Sequence, residues 1–344
     1  MRGPHPRKRR FPPPAAPRQG TLARRLAVEA ILDTDGGRRS FIDLALEARL
    51  EGVEIPERDR HLLQEIAYGA VRHRSTLDHL LESYLRLPMK RQEPPVRWAL
   101  RVGAYQVVYL SRIPAHAAIH RTIDALKELD GASARSPGFV NAVLRKLAAD
   151  VLRKGAEPPV DAHDPSAIPI REGYCYLRRP ALPLRTLDPV GHVALKHSHP
   201  RWLVERWLAR FGEEEAVRLC EANNRIPQVT ARITRKAPGR EAVLGALAAQ
   251  GCSARDAGDG RSLVLGRTGD PRRLEPLKLG WIQIQDPTAS AIGLALDPPE
   301  GARVLDLCAA PGGKAAQLLE QVGPAGSVVA CDIDEERFAP VREN

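Results

Sequence analysis

No apolar run in the 344-residue sequence approaches the ~20 residues that a helix needs to cross a bilayer. Membrane insertion is therefore not expected. Cysteine is sparse: Cys175, Cys220, Cys252, Cys308 and Cys331 are the five present. None forms a C-x-x-C pair and no histidine cluster lies near them, which argues against a zinc site or a disulfide framework and makes a reducing cytoplasm the expected location. The N-terminal stretch MRGPHPRKRRFPPPAAPR lacks the apolar core of a secretory signal. His116 and His120 stand at i, i+4 in PAHAAIH, but no third ligand is evident. They read as helix-surface or packing residues, and no metal is expected.

Acid is in deficit. Lys and Arg number 52 against 42 Asp and Glu, giving a formal net charge of +10, which favours a polyanionic partner such as nucleic acid. Six of the basic residues fall in the acid-free N-terminal stretch. Residues 1–20 are expected to be a disordered, solvated tail. The other reading is a basic arm that adds affinity for RNA without specificity. With 27% charged and 43% hydrophobic residues, the remainder fits globular domains, and the length allows two or three.

From Thr21 to about Asp150 the periodicity is helical and strand-like alternation is almost absent, so residues 21–150 are expected to form an all-α bundle. Gly36-Gly37 is the expected stop of the first helix, and Ser75 the expected cap of a helix bearing Leu77, Leu80, Leu81, Tyr84 and Leu85. Residues 151–199 are rich in proline, and a linker or insertion is expected there. Order returns over residues 200–284 as a small α/β module. PRWLVERWLARFG is a helix with Gly212 suited to its C′ position, QVTARIT is a half-buried strand, and a helix through Leu247 and the strand SLVLG follow, the last clear element ending near Gly280.

WIQIQDP opens the final segment, 285–344. Asp286 is placed to cap a helix with Pro287 in its first turn. A strand at Arg303–Leu307, a small-residue loop, a helix, a strand at Ser327–Cys331 and a new helix start at Asp334 then make a β-α-β unit, the first part of a doubly wound sheet. A lone unit of this kind cannot close a core, so the fold is expected to be cut off. The loop after the first strand of such a sheet is a ligand site by geometry. Gly312 and Gly313 let the backbone approach a ligand closely, Pro311 stiffens the turn, Ala309 and Ala310 leave room, and the helix beyond offers free N–H groups. Asp332 ends the next strand, near a bound ribose. A phosphate-cradling G-x-x-x-x-G-K-[ST] loop would need Gly at Cys308 and Ser or Thr at Ala315, and a G-x-G-x-x-G loop is absent. A methyl-donor site fits best.

DLCAAPGGK resembles the cofactor motif of the RsmB-type (Sun family) RNA 5-methylcytosine methyltransferases. RDRHLLQEIAYGAVRHRSTLDHLL, RWALRVGAYQVVYLSRIPAHAAIH and GFVNAVLRKL resemble the NusB-like helical domain that precedes the catalytic part in bacterial members, and HPRWLVERWLARFGEEEAVRLCEANN resembles the entry to the family's small, RRM-like, RNA-contacting domain. The resemblance implies a multidomain protein: an all-α bundle, a small α/β domain and the start of a Rossmann-like methyltransferase sheet. It also implies S-adenosyl-L-methionine as cofactor, a structured RNA, most of all small-subunit (16S) ribosomal RNA, as partner, and a monomeric, cytoplasmic protein. Carried over by position, the cofactor-binding residues are Cys308, Ala309, Ala310, Pro311, Gly312, Gly313, Lys314 and Asp332. Lys314 has two readings, one reaching toward the target base and one as a surface lysine at a helix start.

In the family, a cysteine thiolate adds to carbon-6 of cytosine so that carbon-5 can attack the sulfonium methyl, with the base unstacked. Family members carry the nucleophile in a Thr-Cys context and a product-releasing cysteine in a Pro-Cys context, both after the cofactor motif. Neither pair occurs here, so no catalytic cysteine is assigned. Cys308 reads as a small loop residue, Cys331 as a buried strand-end thiol and the other three as packing residues. The expectation is a truncated sequence of an active enzyme, itself unable to methylate RNA. The alternative is a non-catalytic RNA-binding or ribosome-assembly module.

Overall fold

The computed structural model describes residues 20–35, 41–266 and 271–342. The tail expected over residues 1–20 falls almost wholly outside them, as does the Gly36-Gly37 stop. The chain divides after Arg225 into two compact units.

The first unit opens with the helices α1 (Thr21–Asp35), α2 (Ile42–Leu50), α3 (Glu57–Arg72), α4 (Arg74–Glu82), α5 (Pro94–Tyr109), α6 (Ala115–Lys127) and α7 (Ser136–Asp150). Helix α5 explains the arrangement. Its sequence PPVRWALRVGAYQVVY is apolar almost all round, and every residue from Trp98 to Tyr109 is buried. Such a helix is stable only when enclosed, and α1, α3, α4, α6 and α7 all pack on it. Arg24, Gln106 and Thr122 are taken inside as a bonded set. Arg24 donates to Gln106 Oε1 at 2.7 Å and to the Gly20 carbonyl at 2.7 Å, and Gln106 donates to Thr122 Oγ1 at 3.2 Å.

Ser75 does not cap α4. The helix begins one residue earlier, and His73 at its N-cap makes no side-chain cap bond. A residue distant in sequence does the work: Ser198 Oγ accepts from the Ser75 and Thr76 amides at 3.1 and 3.4 Å, while Thr76 Oγ1 donates to the Leu195 carbonyl at 2.5 Å. Ser198→Ala should therefore lower the unit's stability by about 1 kcal/mol, the usual cost of losing a cap. An unchanged urea midpoint would contradict the assignment.

The proline-rich stretch 151–199 is ordered, contrary to the linker expectation. It forms strands β1 (Val151–Ala156), β2 (Ala167–Ile170) and β3 (Gly173–Leu177) in an antiparallel sheet of order β1-β3-β2, followed by α8 (Pro189–Lys196). The prolines punctuate these elements. Pro158, Pro159, Pro165, Pro180 and Pro183 lie in connections, Pro169 sits on the edge strand β2, and Pro189 takes the first helical position behind an Asp188 cap that accepts from Gly191 N at 2.9 Å. Ile168, Cys175, Leu177 and Leu182 join the bundle core. The next helix, α9 (Arg201–Asn224), is interrupted at Gly212, which adopts φ 77°. It packs Val204 and Cys220 against Val193 and Ala194 of α8, within the first compact unit.

The second unit contains β4 (Thr230–Ile233), α10 (Arg240–Ala249), β5 (Ala254–Asp256), β6 (Ser262–Leu265), α11 (Glu275–Lys278) and β7 (Ile282–Ile284). The strands form one antiparallel sheet of order β5-β6-β4-β7 around a core of Ala231, Val243, Leu247, Leu263, Leu265 and Ile282. WIQIQDP thus completes the small sheet before leading into the last segment, with Ala231 paired to Ile284 and Ile233 to Ile282. Helix α12 (Pro287–Leu296) follows, capped as expected by Asp286, which accepts from Thr288 N at 2.8 Å. Then come β8 (Arg303–Asp306), α13 (Gly313–Val322), β9 (Ser327–Ala330) and α14 (Glu335–Phe338); β8 and β9 pair in parallel, Arg303 to Ser327 and Asp306 to Ala330. Leu305 and Val329 are exposed on this two-stranded sheet, and Leu307 is exposed just past β8. No helix among the described residues is long and apolar enough to cross a membrane.

Candidate functional site

The loop between β8 and α13 is held from both strands. Cys331 N donates to the Asp306 carbonyl at 2.8 Å, and Ala309 N returns a bond to the Cys331 carbonyl at 2.9 Å, carrying the ladder beyond the strands. Ala310 N then donates to Asp332 Oδ2 at 2.9 Å, while Asp334 N donates to Asp332 Oδ1 at 3.0 Å. The amides of Asp334 and Ala310 hold the Asp332 carboxyl below the ordinary carboxylate range. Each of its oxygens uses one lone pair on the backbone and keeps another for a ligand hydroxyl. The carboxylate is therefore ionised, fixed at the mouth of the loop and still able to accept.

The chain turns into α13 through the Ala310-Pro311 cis peptide and Gly312, which takes φ 110°, a conformation L side chains avoid. Gly312 N donates to the Ala309 carbonyl at 2.6 Å, and the first helical bond runs from Ala316 N to Gly312 at 2.9 Å. The amides of Gly313, Lys314 and Ala315 precede that bond at the positive end of the helix dipole. A Cβ on Gly313 would meet nothing closer than Gln285 at 4.0 Å, so the turn has open space beside it. The site can offer backbone donors to a ligand carboxylate or carbonyl and one carboxylate to a diol.

The residues singled out in the sequence converge here, with different exposures. Ala309 and Gly312 are buried, Ala310 and Gly313 half-buried, and Cys308, Pro311 and Lys314 exposed. Cys331 is exposed, not buried as expected, because it lies one residue past β9, where the described chain lays nothing over its side chain. His116 and His120 are exposed on α6, with His120 Nε2 3.5 Å from Asp124. Among the described residues no three His, Cys, Asp or Glu side chains gather as a metal would require.

A polar cluster behind the loop went unnoticed in the sequence. Arg232 of β4, only 5% exposed, donates from Nε to Gln285 at 2.7 Å, from Nη2 to Gln283 at 2.8 Å, and from both terminal nitrogens to Glu320 of α13 at 2.9 Å. Its signal was legible: in TARI and IQIQ the polar residues share one face and the core residues the other.

By architecture the chain is a helical NusB-like domain, a small sheet domain and the start of a methyltransferase domain. Residues 21–149 match the NusB family, 199–268 the ferredoxin-like domain of RsmF/B-like methyltransferases, and 293–344 the 16S rRNA methyltransferase RsmB/F family. In chain order these matches give a NusB domain followed by the RsmF/B-like ferredoxin-like and RsmB/F methyltransferase segments. The chain is similar to the ribosomal RNA small subunit methyltransferase B of Pseudomonas putida, at 35% identity over 93% of this chain and 65% of that protein. It is also similar to the probable ribosomal RNA small subunit methyltransferase B of Bacillus subtilis, at 30% identity over 94% of this chain and 65% of that protein. The chain thus spans just under two thirds of the length of these relatives. The solved structure of PH0851 shares the fold over 94% of this chain and 66% of that one, with a TM-score of 0.68 at 20% identity.

Proposed function

We propose that the chain serves methylation of carbon-5 of a cytosine in small-subunit ribosomal RNA, with S-adenosyl-L-methionine as donor. The observation that carries this reading is the pairing of Asp332 with the Ala310 amide across the mouth of a Gly-Gly turn. It sets a diol acceptor beside free helix N–H groups, as a ribose and an amino-acid carboxylate on one ligand require. When bound, that ligand supplies an electrophilic methyl group. The protein's part is to grip it: Asp332 accepts from the sugar hydroxyls, and Gly312 and Gly313 keep side chains out of its way. The NusB-like bundle and the basic balance of the chain supply affinity for RNA.

The cytosine step in this reading needs a thiolate. Cys175 and Cys220 are pushed up by burial, to about 12 and about 11, and the Cys252 thiol is also raised by burial. These thiols stay protonated at neutral pH and are poor nucleophiles. Cys308 and Cys331 stand beside the donor loop, in neither a Thr-Cys nor a Pro-Cys context. The chain as it stands is therefore proposed to bind donor and RNA without transferring methyl, and incorporation of label from methyl-labelled donor into ribosomal RNA would overturn that statement.

Titration calorimetry tests the donor assignment. S-adenosyl-L-methionine should bind, and Asp332→Ala should weaken binding tenfold or more, about the worth of one to two charge-assisted hydrogen bonds. No binding by the unaltered chain, or binding indifferent to Asp332→Ala, would remove the assignment.

A further inference from the structure

The polar cluster behind the loop is built differently from an ordinary buried ion pair. Arg232 and Gln283 are each less than a tenth exposed, and so are Gln285 and Gln317. They come from four elements or their ends: β4, β7, the residue after β7, and α13. Gln285 accepts a hydrogen bond from Arg232 Nε on its oxygen and turns its amide nitrogen to the other side, donating to Gln317 Oε1 at 2.9 Å and to the Gly313 carbonyl at 3.3 Å. Gln317 passes the chain on to the Ser290 carbonyl of α12 at 2.8 Å. Gly293 makes room for it, since a Cβ there would fall 2.6 Å from the Gln317 side chain. At the other end of α13, Arg235 adds an amide bond to Glu320 Oε2 at 3.2 Å and a guanidinium bond to the Glu320 carbonyl at 2.8 Å.

Helix α13 is therefore fixed to the small sheet at both ends by directional bonds. An apolar contact would resist separation but tolerate sliding, because hydrophobic attraction is non-directional. A bidentate Arg–Glu pair and a glutamine bonded on both its atoms tolerate neither sliding nor rotation. The first residue of α13 is Gly313, the second glycine of the loop, and its carbonyl is one of the atoms held.

We propose that Arg232, Gln285 and Glu320 are positioning residues: they hold α13 against the small sheet so that the Gly312-Gly313 turn stands open in the conformation that takes the donor. The proposal rests on the donor-site reading for its function, but the coupling from sheet to loop does not. The small domain, on this view, does more than contact RNA, because a shift of β4 or β7 is transmitted directly to the donor loop.

The test separates the two layers. Gln285→Glu keeps the shape and the acceptor for Arg232 but removes both donated bonds, including that to Gly313. Arg232→Met/Glu320→Leu removes the ion pair without leaving a buried charge orphaned, a replacement that is commonly neutral or stabilising. Hydrogen exchange is followed in the ligand-free chain at the loop amides of Ala309, Ala310 and Gly312, with the β4 and β6 amides as reference. Both variants should speed loop exchange tenfold or more while the reference amides change less than twofold, and both should weaken S-adenosyl-L-methionine binding by a similar factor. Loop exchange that stays at the unaltered rate in either variant, or rises only in step with β4 and β6, overturns the positioning role. Loop exchange that accelerates in a chain that never binds the donor leaves the coupling standing and removes the donor reading instead.

Discussion

Gly69→Ala is expected to destabilise the first unit by about 2–3 kcal/mol, although alanine is the better helix former. Gly69 lies in α3 where it crosses α5. A Cβ built there would stand 2.0 Å from Tyr105 Cζ, 2.3 Å from its hydroxyl and 2.4 Å from Cε1. The ring has nowhere to retreat. It stacks on Tyr109 at 5.3 Å and on His73 at 6.0 Å, and its hydroxyl donates to Glu65 at 2.7 Å. Relief must come from separating α3 and α5 or from breaking the Glu65 bond and the stack. Overpacking of this kind costs about 1–3 kcal/mol, and a lost hydrogen bond about 1 more. The helix-propensity gain of about 1 kcal/mol offsets only part of this. The comparison that isolates the cause is Gly103→Ala, whose Cβ would meet Leu144 Cδ1 at 2.3 Å, the far end of a flexible side chain that can rotate away. Urea denaturation should show the larger loss at Gly69, and an equal or higher midpoint for Gly69→Ala would refute the packing argument.

The contrast between these glycines illustrates what a sequence conveys. Helix periods over residues 21–150 and the β-α-β pattern after Arg303 could be read directly, because each rests on a local spacing that burial enforces. So could the Asp286 cap with Pro287 at the first helical position, which is satisfied within two residues. What escaped was non-local. Ser198 caps α4 from more than a hundred residues away, and no spacing near Ser75 signals it. The strands of 151–177 were hidden because their prolines were counted as composition and not located within edges and turns. Cys331 looked like a strand-end core residue from its neighbours alone, yet whether a face is covered depends on what packs over it. Cys308 to Lys314 and Asp332 could be placed together from the sequence because both follow the ends of adjacent parallel strands; their role in holding a donor remains the proposal. Arg232 was missed because an arginine on a strand's polar face is normally solvated, and only α13 lying over that face turns it into a buried anchor.

Acidification from pH 7 to pH 5 is expected to cost the first unit about 2–4 kcal/mol, through two imidazoles that the fold keeps neutral. His73 packs its ring on Tyr109 at 4.1 Å, and its pKa is pushed down to about 3, first by burial and then by Arg72 and His199. His197, buried beside Lys196, is likewise pushed down to about 3 by burial and by the neighbouring positive charges. Burial also lowers His192 and His199. In the unfolded chain these groups titrate near 6.5. Above that value both states are neutral and the shift has no effect. Between 6.5 and about 3 only the unfolded chain binds the protons, so stability falls as pH falls. Each fully shifted imidazole contributes about 1–2 kcal/mol between pH 7 and pH 5. Glu29, whose carboxyl burial raises, acts in the opposite sense, and Asp35, held low chiefly by its bonds to Trp98 and Arg97, stays ionised throughout the window. Urea midpoints at the two pH values measure the total. His73→Phe, which keeps a ring on Tyr109 and cannot take a proton, should remove roughly half the pH slope whatever it does to stability at pH 7. A midpoint that holds steady from pH 7 to pH 5 in the unaltered chain would mean that these imidazoles are not shielded as the packing of α3, α8 and the segment after it requires.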